Sequence, residues 1–241
     1  MIRYLSLLLF LEFVLSQELG TPNFSKNKQI INNKYYNLCY SEKHEQAYWV
    51  SYTLDNERLS DSVKRTNDFR IDPSVKTGSA TLMDYKGSGY DRGHLAPAGD
   101  MKFSLEAMSE SFFMSNMSPQ VPSFNRGIWK KLEFFIRECA KYEGQLYIVT
   151  GPVLTGIYPT IGISEVSIPE YYFKAILDYV EPELKGIGFI LPNNKSKKPL
   201  QTFAVSIDDV ERITGIDFFH SLPDEIENKI ESDYSFNNWK K

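Results

Sequence analysis

Tyr90-Asp91-Arg92-Gly93-His94-Leu95-Ala96-Pro97 sets an arginine and a histidine two residues apart around a glycine. An imidazole with an ordinary pKa near 6.5 exchanges protons around neutral pH, and a guanidinium presents a rigid fork of donors to an anion. Gly93 between them reads as a point where the backbone takes a conformation that a Cβ would resist. The octapeptide therefore reads as a place where a proton is handled beside a negative charge, and the flanking segments decide what carries that charge.

Upstream, Lys86-Gly87-Ser88-Gly89 is a turn signal, and residues 64–73 are a polar loop that Pro73 keeps from becoming a long regular element. Earlier still, Tyr48, Val50, Tyr52 and Leu54 alternate with Trp49, Ser51 and Thr53, the pattern of a half-buried strand over 47–54. Downstream, Ser104 is an N-cap for a helix carrying Leu105, Met108 and Phe112, which Pro119 prevents from continuing. A second helix follows Asn125, with Ile128, Trp129, Leu132, Phe135, Ile136, Cys139 and Ala140 on one stripe and Gly144 at its end. Strand patterns return at 146–149, 171–180 and 187–191, followed by a short helix over 208–213. No repeat or linker divides the chain, so the expectation is one mixed α+β domain with strands flanking a two-helix block.

The ends read differently. Arg3 and the apolar run 5–15 predict a secretory signal peptide over 1–16, and no later stretch is apolar for long enough to span a bilayer, so no membrane association is expected once it is removed. Residues 17–44 read as an N-terminal leader, 45–222 as the functional domain, and 223–241 as an acidic tail polar enough to be disordered. The net charge is −4, which excludes a whole-protein basic footprint. Basic residues cluster instead between Arg126 and Lys141 and at Lys195-Ser196-Lys197-Lys198. Cys39 and Cys139 are too few for a disulfide scaffold, leaving one bridge or two buried thiols. The sequence leaves a homodimer open.

Arg92, His94, Asn116, Asn125, Glu133 and Arg137 all fall in the loop and two-helix block. Phosphodiester hydrolysis needs a base for water, a divalent ion on the phosphoryl oxygens and cationic donors for developing charge, and this set supplies each. Two-metal hydrolysis would want several converging carboxylates, where only Glu133 is available, and no Gly-x-Ser-x-Gly elbow marks a serine hydrolase.

Three blocks in order, Tyr90-Asp91-Arg92-Gly93-His94-Leu95, Ser115-Asn116-Met117-Ser118-Pro119-Gln120 and Phe124-Asn125-Arg126-Gly127-Ile128-Trp129 with Leu132-Glu133, resemble the signature of the DNA/RNA non-specific endonucleases. The resemblance extends from the strand at Trp49 to the helix at Asp208, through Gly151-Pro152, Ile168-Pro169 and Phe173-Lys174. It implies an α+β, ββα-metal (His-Me finger) nuclease fold, with an antiparallel sheet and flanking helices. It further implies His94 as general base, Asn125 as the direct protein ligand of Mg²⁺ with Mn²⁺ as a substitute, and Glu133 acting on metal-bound waters. Arg92 and Arg137 would hold the phosphate and Asn116 would orient the site. Such an enzyme cuts DNA and RNA with little base readout and leaves 5′-phosphate ends. Activity is expected to fall below about pH 6.5 as His94 charges. Asn67 stands where some bacterial members carry a basic residue, leaving Arg65 or Arg70 to serve. A catalytically weak nucleic-acid-binding or toxin-like interaction protein on the same fold is the alternative. The apolar N-terminus, which contains Glu12 and is not rich in arginine, favours a secreted or periplasmic destination over a mitochondrial one.

Overall fold

The structure, a computed structural model, describes residues 19–24 and 28–239; the signal-peptide reading of 1–16 lies outside the described residues. Seven strands form one sheet in the order β1-β2-β3-β6-β9-β10-β11: β1 (Gln29–Asn32), β2 (Asn37–Ser41), β3 (Gln46–Asp55), β6 (Gln145–Pro152), β9 (Tyr171–Asp178), β10 (Lys185–Pro192) and β11 (Ala204–Val205). Every pairing in it is antiparallel. Apart from it, β4 (Asp91–His94) pairs with β5 (Met117–Gln120), and β7 (Thr160–Ile161) with β8 (Val166–Ser167). The helices are α1 (Leu82–Tyr85), α2 (Leu105–Glu110), α3 (Lys130–Glu143), α4 (Ile207–Thr214) and α5 (Asp224–Ser232). The expected α+β class with a flanked antiparallel sheet is what the chain adopts.

The sheet is covered on both faces. On one, Leu132, Ile136 and Ala140 of α3 pack in a core with Val50, Ile148 and Ile176. On the other, Ile207 and Val210 of α4 and Ile230 of α5 pack with Val149, Phe173 and Leu177. Each buried Val, Leu, Ile or Phe side chain among these contributes about 1.5–3 kcal/mol through burial. The β3 strand is consequently buried on both sides rather than half-buried: Trp49 is fully enclosed on the face opposite Val50. A register shift between Cys39 and Tyr40 leaves Tyr48 unpaired in the ladder, and this bulge puts Tyr48 with Trp49 on the second face, breaking the expected alternation. The same sheet separates the cysteines. Cys39 belongs to one core and Cys139 to the other, and both are free thiols.

Both ends of the chain join the fold. β1 and β2 arise within the stretch read as a leader, so the sheet begins before residue 45. The acidic tail, expected to be disordered, carries α5, whose Ile230 closes over Gly186 of β10; a Cβ there would lie 2.7 Å from the Ile230 methyl. Beyond α5, Phe236 stacks on Phe135 with centroids 5.1 Å apart, and Trp239 is buried. Charge count concealed these apolar anchors, which are few but spaced to reach the core. Among the described residues, no helix is long and apolar enough to cross a membrane.

Candidate active site

In the β4–β5 ribbon, Arg92 lies opposite Pro119 and His94 opposite Met117. Pro119 therefore sits in a strand, where it is tolerated because the ribbon's outer edge needs no donor, and its carbonyl accepts from Tyr172 Oη (2.9 Å) and Asn193 Nδ2 (3.0 Å). Gly93 is ordinary extended backbone and not one of the positive-φ glycines. Its lack of a side chain is a matter of space, since a Cβ would fall 2.2 Å from Cδ of the buried Gln120.

Past β5, residues Phe124–Trp129 form a wide π-type turn, kinked at Gly127 (φ −107°, ψ −109°), that delivers the chain into α3. Bulges of this kind re-aim side chains, and here they bring the helix entry back to the ribbon. Asn125 Nδ2 donates to Asp91 Oδ2 at 2.9 Å, while Arg126 grips both oxygens of the same carboxylate at 2.6 and 2.8 Å. Asp91 is thus the latch between ribbon and helix.

The ribbon, the loop after it and α3 enclose a cavity of about 470 Å³ whose walls include Arg92, His94, Asn125, Glu133 and Arg137. Five of the six predicted residues meet there. The sixth, Asn116, is fully buried outside it: its Oδ1 accepts from Ala96 N, and its Nδ2 donates to the carbonyls of Ala96 and Ser111, so it fastens the backbone just after His94. A larger groove of about 730 Å³ lies between the outer side of α3 and Trp239, and its lining lacks such a convergence of base, amide and guanidiniums.

Aromatic rings set the His94 imidazole. It stands edge-on to Phe112 (centroids 4.9 Å, 90°) and tilted against Phe69 at 5.8 Å, and its Nε2 is buried without a hydrogen-bond partner. Burial, together with the Arg65 and Arg92 guanidiniums, lowers its pKa to about 3. The ring is therefore neutral across the physiological range, and the expected loss of activity from its charging near pH 6.5 does not follow. Glu133 shifts the other way. Desolvation raises its carboxyl pKa, Lys174 pulls it down, and Asp100 adds to the rise.

Arg137 does not pair with Glu133. It binds Asp100 at 2.5 Å, Asp100 is itself buried, and Tyr52 Oη donates to the same carboxylate at 2.9 Å. Glu133 and Arg137 stand four residues apart on α3, a spacing that allows a helix pair, and the tertiary partner Asp100 takes the guanidinium instead. Arg65 and Arg70 also separate. Arg65 lines the cavity, tied by Nε to Asn67 Oδ1 at 2.7 Å, whereas Arg70 is spent on Asp68 Oδ2 (3.0 Å) and the Ser109 carbonyl (2.8 Å).

Sequence reasoning missed Asp100, Lys130 and the role of Lys174. Lys174 is fully buried, donates to Thr150 Oγ1 at 3.1 Å and lies 4.6 Å from the Trp129 ring centroid; its pKa is lowered by burial, opposed by Glu133. The Phe173-Lys174 pair was legible as a motif, but its burial was not. Arg65, Arg92, Arg126, Lys130 and Arg137 give the cavity a cationic wall that suits a polyanion.

The donors also suit a hard divalent cation that keeps most of its water. Asn125 Nδ2 is committed to Asp91, which leaves its Oδ1 as the coordinating atom, and Glu133 is the ionisable oxygen donor beside it in the cavity wall. A three-ligand group of acidic residues occurs among the described residues only elsewhere, at Asp208, Glu211 and Glu231.

Comparison with known proteins gives consistent results. The family described as DNA/RNA non-specific endonuclease matches residues 16–225. The chain is 36% identical to human mitochondrial endonuclease G over 218 residues, covering 84% of this chain and 72% of that protein. It is 35% identical to the zebrafish (Danio rerio) mitochondrial nuclease EXOG over 220 residues, covering 84% of this chain and 64% of that protein. A chain of the solved EndoG/EndoGI complex superposes with a TM-score of 0.80 at 30% identity, over 87% of this chain and 93% of that one. Relatives that are named nucleases speak for turnover over a binding-only protein. Their compartment overturns the secreted or periplasmic expectation, which rested on the composition of the first residues.

Proposed function

The chain belongs to the DNA/RNA non-specific endonuclease family, and we propose that it hydrolyses phosphodiester bonds of DNA and RNA at the cavity between the β4–β5 ribbon and α3, in mitochondria. The observation that carries this reading is the convergence of His94, Asn125 and Glu133 on one cavity with a cationic wall. The substrate phosphate is bound by the cavity's cationic wall, which includes Arg65, Arg92 and Arg137, and is held through its backbone oxygens rather than its bases. His94 takes a proton from water, the water oxygen bonds to phosphorus, and the P–O3′ bond breaks; one product keeps the 5′-phosphate, and the departing O3′ takes a proton from solvent to become a 3′-hydroxyl. Burial is the largest cause of the low His94 pKa and the two guanidiniums add to it; the anionic phosphate offsets their share, so His94 becomes a stronger base once substrate is bound.

Asn125 and Glu133 are the residues that would hold Mg²⁺ or Mn²⁺ and its waters; when bound, the ion supplies charge neutralisation at the phosphoryl oxygens. Asp91 and Asn116 are positioning residues, the first for Asn125 and the second for the backbone at His94. Asp100 fixes the Arg137 guanidinium. The test is digestion of supercoiled plasmid and of RNA by the purified protein, with and without EDTA, alongside His94→Ala. Cleavage of both polymers that EDTA and the substitution each abolish is the expected outcome. A His94→Ala protein that cuts as fast as the parent sinks the assignment of the base.

A further inference from the structure

The face of the sheet opposite the cavity carries a second concentration of carboxylates. Asp208 and Glu211 belong to α4 and Glu231 to the end of α5, and one oxygen from each lies within 4.8 Å of the others. Two observations set this group apart from a solvated acidic surface. Glu231 is only 4% exposed, and its Oε1 is buried with no hydrogen-bond partner. The nearby Arg212 is bound to Asp209 at 2.5 Å instead, and Glu211 Oε1 receives only the Phe218 amide at 2.6 Å.

Carboxylates brought this close without a cation repel one another, and a buried oxygen without a partner is strongly unfavourable. A divalent ion resolves both at once. Oxygens within 4.8 Å of one another can share a single ion. A group of protein carboxylates suits Ca²⁺, which takes many protein oxygens at about 2.3–2.6 Å in a flexible shell, better than Mg²⁺, which keeps several of its waters in a strict octahedron. The exposure of Asp208 leaves a path to solvent for entry and for the waters that complete the shell.

We propose that Asp208, Glu211 and Glu231 form a Ca²⁺-type cation site that ties α5 to α4, separate from the nuclease centre. Asp208 and Glu211 lie inside the 16–225 span that the family matches, and Glu231, on α5, lies beyond it.

The test uses the full chain carrying Asn125→Ala, which removes the proposed ligand of the nuclease centre so that any calcium response arises elsewhere. Thermal unfolding is compared in CaCl₂ and in EDTA, and CaCl₂ binding is titrated calorimetrically. Expected are one ion per chain and a rise in Tm of about 3–5 °C at tenfold excess over Kd. Both should be lost when Asp208→Asn or Glu231→Gln is added. Asp208→Asn changes an exposed side chain and leaves the fold intact. Absence of binding heat and of a Tm shift overturns the site, as does full retention of both in the two added variants. Because neither readout is cleavage, the outcome is independent of the nuclease assignment.

Discussion

Glu133 and Glu231 are acidic side chains withdrawn from water on opposite faces of one sheet, and their neighbours have opposite signs. Around Glu133 lie Lys174, Arg137 and Arg65, with Asp100 the one opposing charge. Around Glu231 burial acts first, and then Glu211, Glu227, Asp208 and Asp217 all act in the same direction, which pushes its pKa up to about 9. Glu211 beside it rises to about 7, again chiefly by burial. Desolvation alone therefore does not make a catalytic carboxylate. Burial raises Glu133 as well, to about 7, but its neighbouring cations oppose that rise, whereas around Glu231 every neighbouring charge adds to it.

The comparison breaks most easily at the base. His94→Ala should lower plasmid cleavage by about 10²–10⁴-fold, the usual contribution of a general base. No hydrogen bond of Nε2 is lost, so circular dichroism should report an intact fold, with a lower Tm from the cavity left beside Phe69 and Phe112. A loss of only a few-fold would move the chemistry away from the imidazole.

Next in size is Glu133→Gln, expected to cost about 10–100-fold, the range for groups that orient a metal's waters. The pH profile carries the sharper information. A raised carboxyl pKa means that falling pH protonates Glu133 above the ordinary carboxylate range, whereas His94 stays neutral until far lower pH. The acid limb of the parent should thus belong to Glu133 and vanish in Glu133→Gln. A limb that persists near pH 6.5 in the variant would return it to the histidine.

A smaller effect separates the two arginines. Arg65→Ala should reduce kcat/KM by roughly tenfold and take about one unit from the salt slope of DNA binding, the signature of one phosphate contact. Arg70→Ala, whose guanidinium is bound to Asp68 and Ser109 and lies 4.1 Å from the Phe113 ring, should lower Tm and leave the salt slope unchanged. Equal slopes in both variants would remove Arg65 from the cavity wall.

What the sequence disclosed follows from the range of the interactions. Local patterns placed α3, the strands at 171 and 187 and the cap at Ser104, because periodicity and capping act within a few residues. The motif blocks brought five of the six chosen residues to one cavity. Partners set by tertiary packing were not legible: Asp100 reaches Arg137 from a loop, Lys174 reaches the site from the central sheet, and His94 loses its ordinary pKa to aromatic walls built from distant segments. Gly93 shows the same limit in reverse, since its need is set by Gln120 on the facing strand rather than by its own backbone angles.

The smallest effect probes the acidic side of the comparison. Glu231 has a folded pKa above its unfolded value near 4.5, so between those limits the native state holds the extra proton. Its contribution to stability is fully present below about pH 4.5 and is lost as pH rises toward 9. At pH 8 in EDTA, Glu231→Gln keeps the shape, removes the ionisable group and should raise Tm by about 2–4 °C; at pH 4.5 the two proteins should melt together. Saturating CaCl₂ should close the gap at pH 8 from the other side, by stabilising the parent alone. If Glu231→Gln instead melts lower than the parent at pH 8 in EDTA, Glu231 has a favourable protein partner, and the two faces of the sheet no longer differ in the way their charges suggest.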